Sequence, residues 1–455
     1  MKRKGTRFTL STTQIILFSF LLMILLGSML LALPISSSNG RAVPYVDALF
    51  TATTATCVTG LTVLPTVSAW STFGHVVILV LIQVGGLGVI TVMSGVMLAL
   101  QRKMGISDRL LIQDAFNLNT MSGLAEFVRK VILWTLVIEG LGALCYMTVF
   151  IPAFGARGIW ISIFTSISAF CNAGIDIISE SGLLAYAADP VVNTVTCFLV
   201  IVGGIGYIVW WDIARVLRLK KKRVRLHFFR RLSLHSKLAL FTTAILLICG
   251  AAAILLFEFD NPMTMGGRPL SEKIEMSVFQ SVTVRTAGFA TMSQKSLTNG
   301  SVIVSLLLMM IGGSPVGTAG GIKTVTAAVL VMTALATVRG RNSVTVFHRT
   351  LTLGVIKKAV AVAGMSLLIA FVSTVLLCAV TDAPALDIVY ETVSATATVG
   401  LSRDLTPSLD TWGKLIVCAT MYLGRVGPIS LAIVFSVKQT TENSIQNPTE
   451  DISVG

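Results

Sequence analysis

Four stretches of this 455-residue chain share one chemical setting. They are Thr54-Ala55-Thr56-Cys57-Val58-Thr59-Gly60-Leu61, Ser168-Ala169-Phe170-Cys171-Asn172-Ala173-Gly174-Ile175, Val282-Thr283-Val284-Arg285-Thr286-Ala287-Gly288-Phe289 and Ser394-Ala395-Thr396-Ala397-Thr398-Val399-Gly400-Leu401. Each passes through small and hydroxyl-bearing residues to a single glycine followed by an apolar residue. The chemistry on offer is that of the backbone itself. Glycine reaches dihedrals closed to residues with a Cβ. Successive carbonyl oxygens aimed at one axis can replace the hydration shell of a cation. The residues placed to do so are Val58, Thr59 and Gly60; Asn172, Ala173 and Gly174; Thr286, Ala287 and Gly288; Thr398, Val399 and Gly400. No carboxylate stands at the glycine level, which suits a monovalent rather than a divalent ion. Asp176, two residues after Gly174, reads equally as an acid at the mouth and as a solvated loop acid.

Thr398-Val399-Gly400 matches the opening of the T-V-G-Y-G loop of potassium channels, and Leu401 breaks the match. One such fragment is near chance. The four glycines recur at intervals of 114, 114 and 112 residues, which makes them an internal repeat.

The elements around them repeat too. Long apolar segments precede the motifs at 14–34, 131–154, 238–257 and 359–380, followed by short ones at 44–55, 159–170, 272–284 and 385–396. After the motifs come 73–100, 191–217, 300–338 and 412–437. A dozen helical residues reach only about 18 Å, too short for the hydrocarbon core, so the short helices must re-enter. Irregular backbone at that depth is tolerated only inside protein or along a water-filled cavity. The C-terminal, partly negative helix ends favour a cation there. The fold class is therefore all-α and integral to the membrane: four M1–pore helix–M2 repeats around a pseudo-fourfold pore, with eight transmembrane helices. The expected division is a cytoplasmic N-terminal segment 1–13, repeats at 14–100, 129–218, 236–338 and 355–437, and a cytoplasmic tail 438–455.

Composition agrees. The chain is 54% hydrophobic and 12% charged, with a mean hydropathy of +0.85, against about 25% charge in soluble domains. The first apolar run continues to Pro34 without a clean cleavage site and reads as a membrane helix, not a signal peptide. The net charge of +14 records topology, not nucleic-acid binding. Basic stretches (Lys2 to Arg7, Arg215 to Lys237, Arg339 to Lys358) alternate with acidic ones (Glu258 to Glu275, Asp382 to Asp410). Basic loops stay in the cytoplasm, beside anionic lipid, which puts both termini there. The seven cysteines form no C-x-x-C pair, which argues against metal and disulfide use. The four histidines lie in no catalytic spacing, so an enzyme is not expected.

One apolar segment is interrupted. Gly300 to Val338 would run about 58 Å as a single helix. Its middle holds Gly312, Gly313, Ser314, Pro315, Gly317, Thr318, Ala319, Gly320, Gly321 and Lys323, which cannot continue a helix. A small mobile plug below the filter is a candidate gate; the alternative is a packing kink. Shorter clusters lie at matching depth, at Gly85–Gly88, Gly203–Gly206 and Gly424–Gly427, and would let helices approach closely. Arg425 is expected either to contact the loop carbonyls or to lie across the pore as a barrier. Arg285 is expected to point away from the ion path, capping its helix or pairing with Glu275, Glu391 or Asp404. Glu139, inside an apolar run, reads as a functional group or as an interhelical hydrogen bond.

These repeats, with one glycine each and a long glycine-rich break in the third M2, resemble the superfamily of potassium transporters that contains Trk, Ktr and plant HKT proteins. Eight spans without an extra N-terminal pair are similar to the membrane subunits of Ktr-type systems. The resemblance implies potassium uptake, often sodium-dependent, with potassium held at the carbonyls of Gly60, Gly174, Gly288 and Gly400. It implies a gate at Gly312–Lys323 with Arg425 facing it, and no organic cofactor. It also implies a homodimer in the cell membrane, in contact with lipid, carrying a cytosolic ring of RCK-type nucleotide-binding subunits. The stretches 215–237 and 339–358 and the tail after Lys438 are the docking candidates. An alternating-access secondary cation transporter is the competing class; it usually shows inverted repeats and paired broken helices.

Overall fold

The computed structural model describes residues 12–89, 91–94, 124–218, 228–341 and 343–427. The start of the N-terminal segment, residues 95–100 and 428–437 of two apolar segments, residues 219–227 of the basic stretch and the tail 438–455 lie outside the described residues.

A succession of long helix, short helix, loop and second helix occurs four times. The first has α1 (Thr12–Leu31), α2 (Tyr45–Cys57) and α3 (Thr72–Leu87). The second has α4 (Leu124–Phe154), α5 (Arg157–Cys171), α6 (Pro190–Gly204) and α7 (Tyr207–Leu217). The third has α8 (Leu234–Glu258), α9 (Leu270–Thr283), α10 (Asn299–Met310) and α11 (Thr324–Val338). A two-residue-per-strand hairpin follows, β1 (Thr345–Val346) and β2 (Arg349–Thr350), and then α12 (Leu353–Cys378), α13 (Ala385–Ala397) and α14 (Thr411–Val426). Among the described residues, α1, α4, α8 and α12 are each long and apolar enough to cross a membrane. Their outer faces expose Phe18, Leu22, Leu144, Ile248, Leu256 and Phe371, as lipid contact requires.

Local signals set the short helices. Prolines 44, 269 and 384 stand directly before α2, α9 and α13, where a missing N–H costs nothing. The helices after each loop are capped by side chains: Ser71 for α3, Asp189 for α6, Thr298 for α10 and Asp410 for α14.

The second helices depart from expectation. None of the four runs on as one long rod. Each stops at its glycine cluster, where Gly88 (φ 85°), Gly206 (φ 94°) and Gly427 (φ 96°) adopt dihedrals that end a helix. In the second unit the chain turns by 93° between α6 and α7. Breaks are thus shared; a long insertion belongs to the third unit.

Glycine here also admits carbonyls. A β-carbon at Gly85, Gly203 or Gly424 would collide with the carbonyl of Thr56, Phe170 or Thr396, each four residues before a ring glycine. Every short helix also packs on the second helix of the preceding unit: α5 on α3, α9 on α6, α13 on α10 and α2 on α14. The succession closes on itself.

Gly203→Ala and Gly424→Ala are expected to destabilise the fold by about 1–3 kcal/mol through overpacking. Gly140→Ala and Gly364→Ala, whose added methyl meets nothing within 4 Å, should be neutral or stabilising. Thermal midpoints in detergent separate the two pairs.

Candidate functional site

The four loops share one backbone pattern. Val58 (φ 55°), Asn172 (φ 60°), Thr286 (φ 73°) and Thr398 (φ 51°) are left-handed, and each lies two residues before a glycine. The glycines are again positive: Gly60 at 102°, Gly174 at 66°, Gly288 at 84° and Gly400 at 96°. Thr59, Ala173, Ala287 and Val399 between them are not. Alternating handedness turns successive carbonyls to one side, whereas a strand would point them to opposite sides. Three non-glycine residues, Val58, Asn172 and Thr398, reach this conformation as helix caps, their N–H groups returning to the last helical turn.

The loops meet in a ring. A β-carbon at Gly60 would lie 2.5 Å from Ala173 O, one at Gly174 2.6 Å from Ala287 O, and one at Gly288 2.6 Å from Val399 O. One at Gly400 would collide with Thr59 O, which closes the circle. Four glycines therefore alternate with four carbonyls, and no side chain fits at that level.

Hydroxyl groups brace the loops, and the sequence reading did not single them out. Thr54 Oγ1 accepts from Gly60 N (2.9 Å), Ser394 Oγ from Gly400 N (3.0 Å) and Ser168 Oγ from Ile175 N (3.1 Å). All three stand six residues before the ring glycine, a repeat visible in the sequence. The third unit has Val282 there, and Thr283 Oγ1 instead donates to Phe289 O at 2.5 Å.

On one side the ring floors a cavity of about 200 Å³, lined by all four glycines together with Asp176. On the other lies the glycine-rich loop. An Ile311–Ile322 bridge closes its base. Ser314 N donates to Gly204 O (2.8 Å), Thr318 N to Gly203 O (3.2 Å) and Gly320 N to Thr286 Oγ1 (3.3 Å). Thr318 Oγ1 donates to Phe170 O at 3.1 Å, and Ser314 and Thr324 share a hydroxyl bond of 2.9 Å. Gly312 and Gly321 pack on each other, Gly313 packs against Ala319, and Gly317 lies against the Gly203 and Gly204 carbonyls.

Three cationic side chains bond to this loop, Arg285 buried and Arg425 and Lys323 half-buried. Arg425 donates to Thr318 O (2.6 Å) in the loop and to Gly85 O (2.7 Å) on α3, so it makes the expected contact with a loop carbonyl. Lys323 Nζ donates to Ala319 O at 2.6 Å. Arg285 has no acid partner among the described residues; its Nη2 donates to Gly312 O at 2.9 Å. The expected carboxylates are engaged elsewhere: Glu391 with Ser402 and Thr406, and Glu275 with Asn193. Glu139 forms interhelical bonds, accepting from Gln83 Nε2 (3.2 Å) on α3 while its carbonyl accepts from Ser166 Oγ (2.6 Å) on α5.

A membrane-embedded helical assembly, with a ring of backbone carbonyls open on one side and plugged on the other, is a protein built to handle ions. The chain belongs to the TrkH family of cation transport proteins, whose model matches residues 2–447. It is 39% identical over 453 residues to the Ktr system potassium uptake protein B of Bacillus subtilis, covering 99% of this chain and 98% of that one. It is 37% identical to the potassium/sodium uptake protein NtpJ of Enterococcus hirae, covering 100% and 99%. The crystal structure of the potassium transporter TrkH from Vibrio parahaemolyticus shares the fold. Its TM-score is 0.73 at 15% identity, over 96% of this chain and 87% of that one.

Asp176 lines the cavity beside the ring glycines. It lies in the connection between α5 and α6, and burial pushes its carboxyl up to about 6, the Ile178 N–H bond opposing the rise. Above that pH it is charged and attracts cations; below it the charge is lost. Cation flux should fall about two- to threefold as the pH on the cavity side drops through this window, and Asp176→Asn should abolish the dependence. Flux against the pH on that side in proteoliposomes checks this.

Proposed function

We propose that the chain is the ion-translocating membrane subunit of a bacterial Ktr-type potassium uptake system. The observation that carries this reading is the closed ring of glycines and carbonyls. At the ring, potassium exchanges hydration water for the carbonyls of Gly60, Gly174, Gly288 and Gly400 and their preceding residues. The C-terminal ends of α2, α5, α9 and α13 add a negative field. The names of the relatives support potassium as the cargo, and that of NtpJ supports a role for sodium.

In this reading four repeats supply eight spans, α6–α7 and α10–α11 each counting as one broken span. Both termini are cytoplasmic, on the side of the basic stretches. The loop Gly312–Lys323 is the gate. It fills the path below the ring and is held by hydrogen bonds that can be exchanged for water. A homodimer carrying a cytosolic nucleotide-binding ring of the RCK type supplies the control, and uptake depends on sodium.

The pair of broken second helices, α6–α7 at Gly206 and α10–α11 at the glycine-rich loop, is a feature an alternating-access carrier would share. The cyclic, head-to-tail packing of four like units favours a channel-like path, because such carriers usually rock two inverted halves.

Rubidium uptake into proteoliposomes, with and without sodium and the cytosolic ring, tests the reading. Gly60→Ser and Gly400→Ser should lower rubidium-over-sodium preference by about tenfold, equivalent to about 1.4 kcal/mol. Unchanged preference in correctly inserted protein sinks the filter. Deleting Gly313 to Gly320 should raise flux and loosen its control; loss of flux in inserted protein sinks the gate.

A further inference from the structure

The residue three before each ring glycine is Cys57, Cys171, Arg285 and Ala397 in turn. Three are small and uncharged. This position faces the second helix of the preceding unit: Cys171 lies so close to Gly86 that a β-carbon there would sit 2.6 Å from its sulfur. In the third unit the same position carries a guanidinium, bordered by Val200, Gly204 and Gly313. Arg285 is 7% exposed and in no ion pair among the described residues. Its Nε has no partner. A buried cation without a counter-charge is costly, and at membrane depth such groups are kept for use.

What it touches gives that use. Arg285 Nη2 donates to Gly312 O, at the first glycine of the loop. The next residue, Thr286, accepts from Gly320 N, near the loop's far end. Two adjacent residues of the third ring strand thus hold both ends of one loop. Thr286 is also the left-handed residue that shapes the carbonyls before Gly288. Arg425 differs, since from α14 it donates to the loop at Thr318 O and to α3 at Gly85 O, and neither bond goes to a ring residue.

We propose that Arg285 is a positioning residue that ties the third ring strand to the gate loop, so that gate position and ion preference are coupled. This rests on the filter and gate reading above. When the loop leaves, either the Arg285–Gly312 bond breaks and strands a buried guanidinium, which opposes opening, or the loop pulls on the strand through Arg285 and Thr286. Both routes make the ring sense the gate.

The test uses the full chain in proteoliposomes, with rubidium flux and the rubidium-to-sodium ratio both scaled to inserted protein. Arg285→Met should raise basal flux by about tenfold, the worth of one charge-assisted hydrogen bond, and lower the ratio at the same time. Arg285→Lys, which keeps a charged donor, should recover part of both. Thr286→Val should lower the ratio in the same direction, and it stands in if the arginine variants fail to insert. Flux and ratio unchanged per inserted molecule would mean a purely structural arginine and overturn the proposal. Higher flux at an unchanged ratio overturns the coupling equally. Failure of the wild type to prefer rubidium would instead strike the functional reading.

Discussion

The β-carbon missing at Gly60, Gly174, Gly288 and Gly400 is the constraint on which the rest of the structure depends. Four backbones can interleave at one level only if nothing projects between them. Carbonyls left free to face an ion are tolerable at membrane depth only if every neighbouring backbone group is paired. The left-handed caps at Val58, Asn172 and Thr398 return their N–H groups to the short helices, the next N–H groups bond the carbonyls of Thr54, Ser168 and Ser394, and the hydroxyls of those three residues take the N–H groups of Gly60, Ile175 and Gly400. Gly85, Gly203 and Gly424 let the second helices close over the ends of the short ones. The glycines away from the ring serve the same end as the glycines in it.

The third unit breaks the pattern where the glycine-rich loop packs against it. It has Val282 in place of a bracing hydroxyl, Arg285 in place of a small residue, and a loop in place of a single glycine turn. The loop is held by at least six contacts, from Arg285, Thr286, Arg425, Phe170, Gly203 and Gly204. Each hydrogen bond contributes about 0.5–1.5 kcal/mol net. Together they hold the loop against the third ring segment, α6 and α14.

How much of this was legible follows from what a sequence can display. Period and residue type are displayed directly, so the ring residues and the interrupted third segment could be placed from Gly60 and Pro315 onward. Dihedrals are displayed only where glycine is obligatory. Gly88, Gly206 and Gly427 looked like packing positions because a close approach and a helix stop ask for the same residue. Backbone acceptors are not displayed at all. Arg285 reads from sequence as a helix cap or a partner for a carboxylate, whereas carbonyls hold it, as they hold Arg425 and Lys323. The hydroxyls at Thr54, Ser168 and Ser394 were in view as part of the repeat, but their role needs the loop's geometry.

The same accounting explains why the 93° turn lies in the second unit. Ending α6 at Gly204 and starting α7 at Tyr207 frees the carbonyls of Gly203 and Gly204 and the N–H of Tyr207 inside the membrane. The loop of the third unit answers all three: Thr318 N and Ser314 N donate to the two carbonyls, and Val316 O accepts from Tyr207 N at 2.9 Å. Neither break is satisfied alone; each supplies the other's missing partners. A loop that moved away would leave these groups, along with its own, to be met by water. Water entering at that point would lie directly below the ring. The bonds that hold the loop are thus also the bonds that satisfy the backbone groups freed by the turn at Gly206, so neither element keeps its pairing without the other.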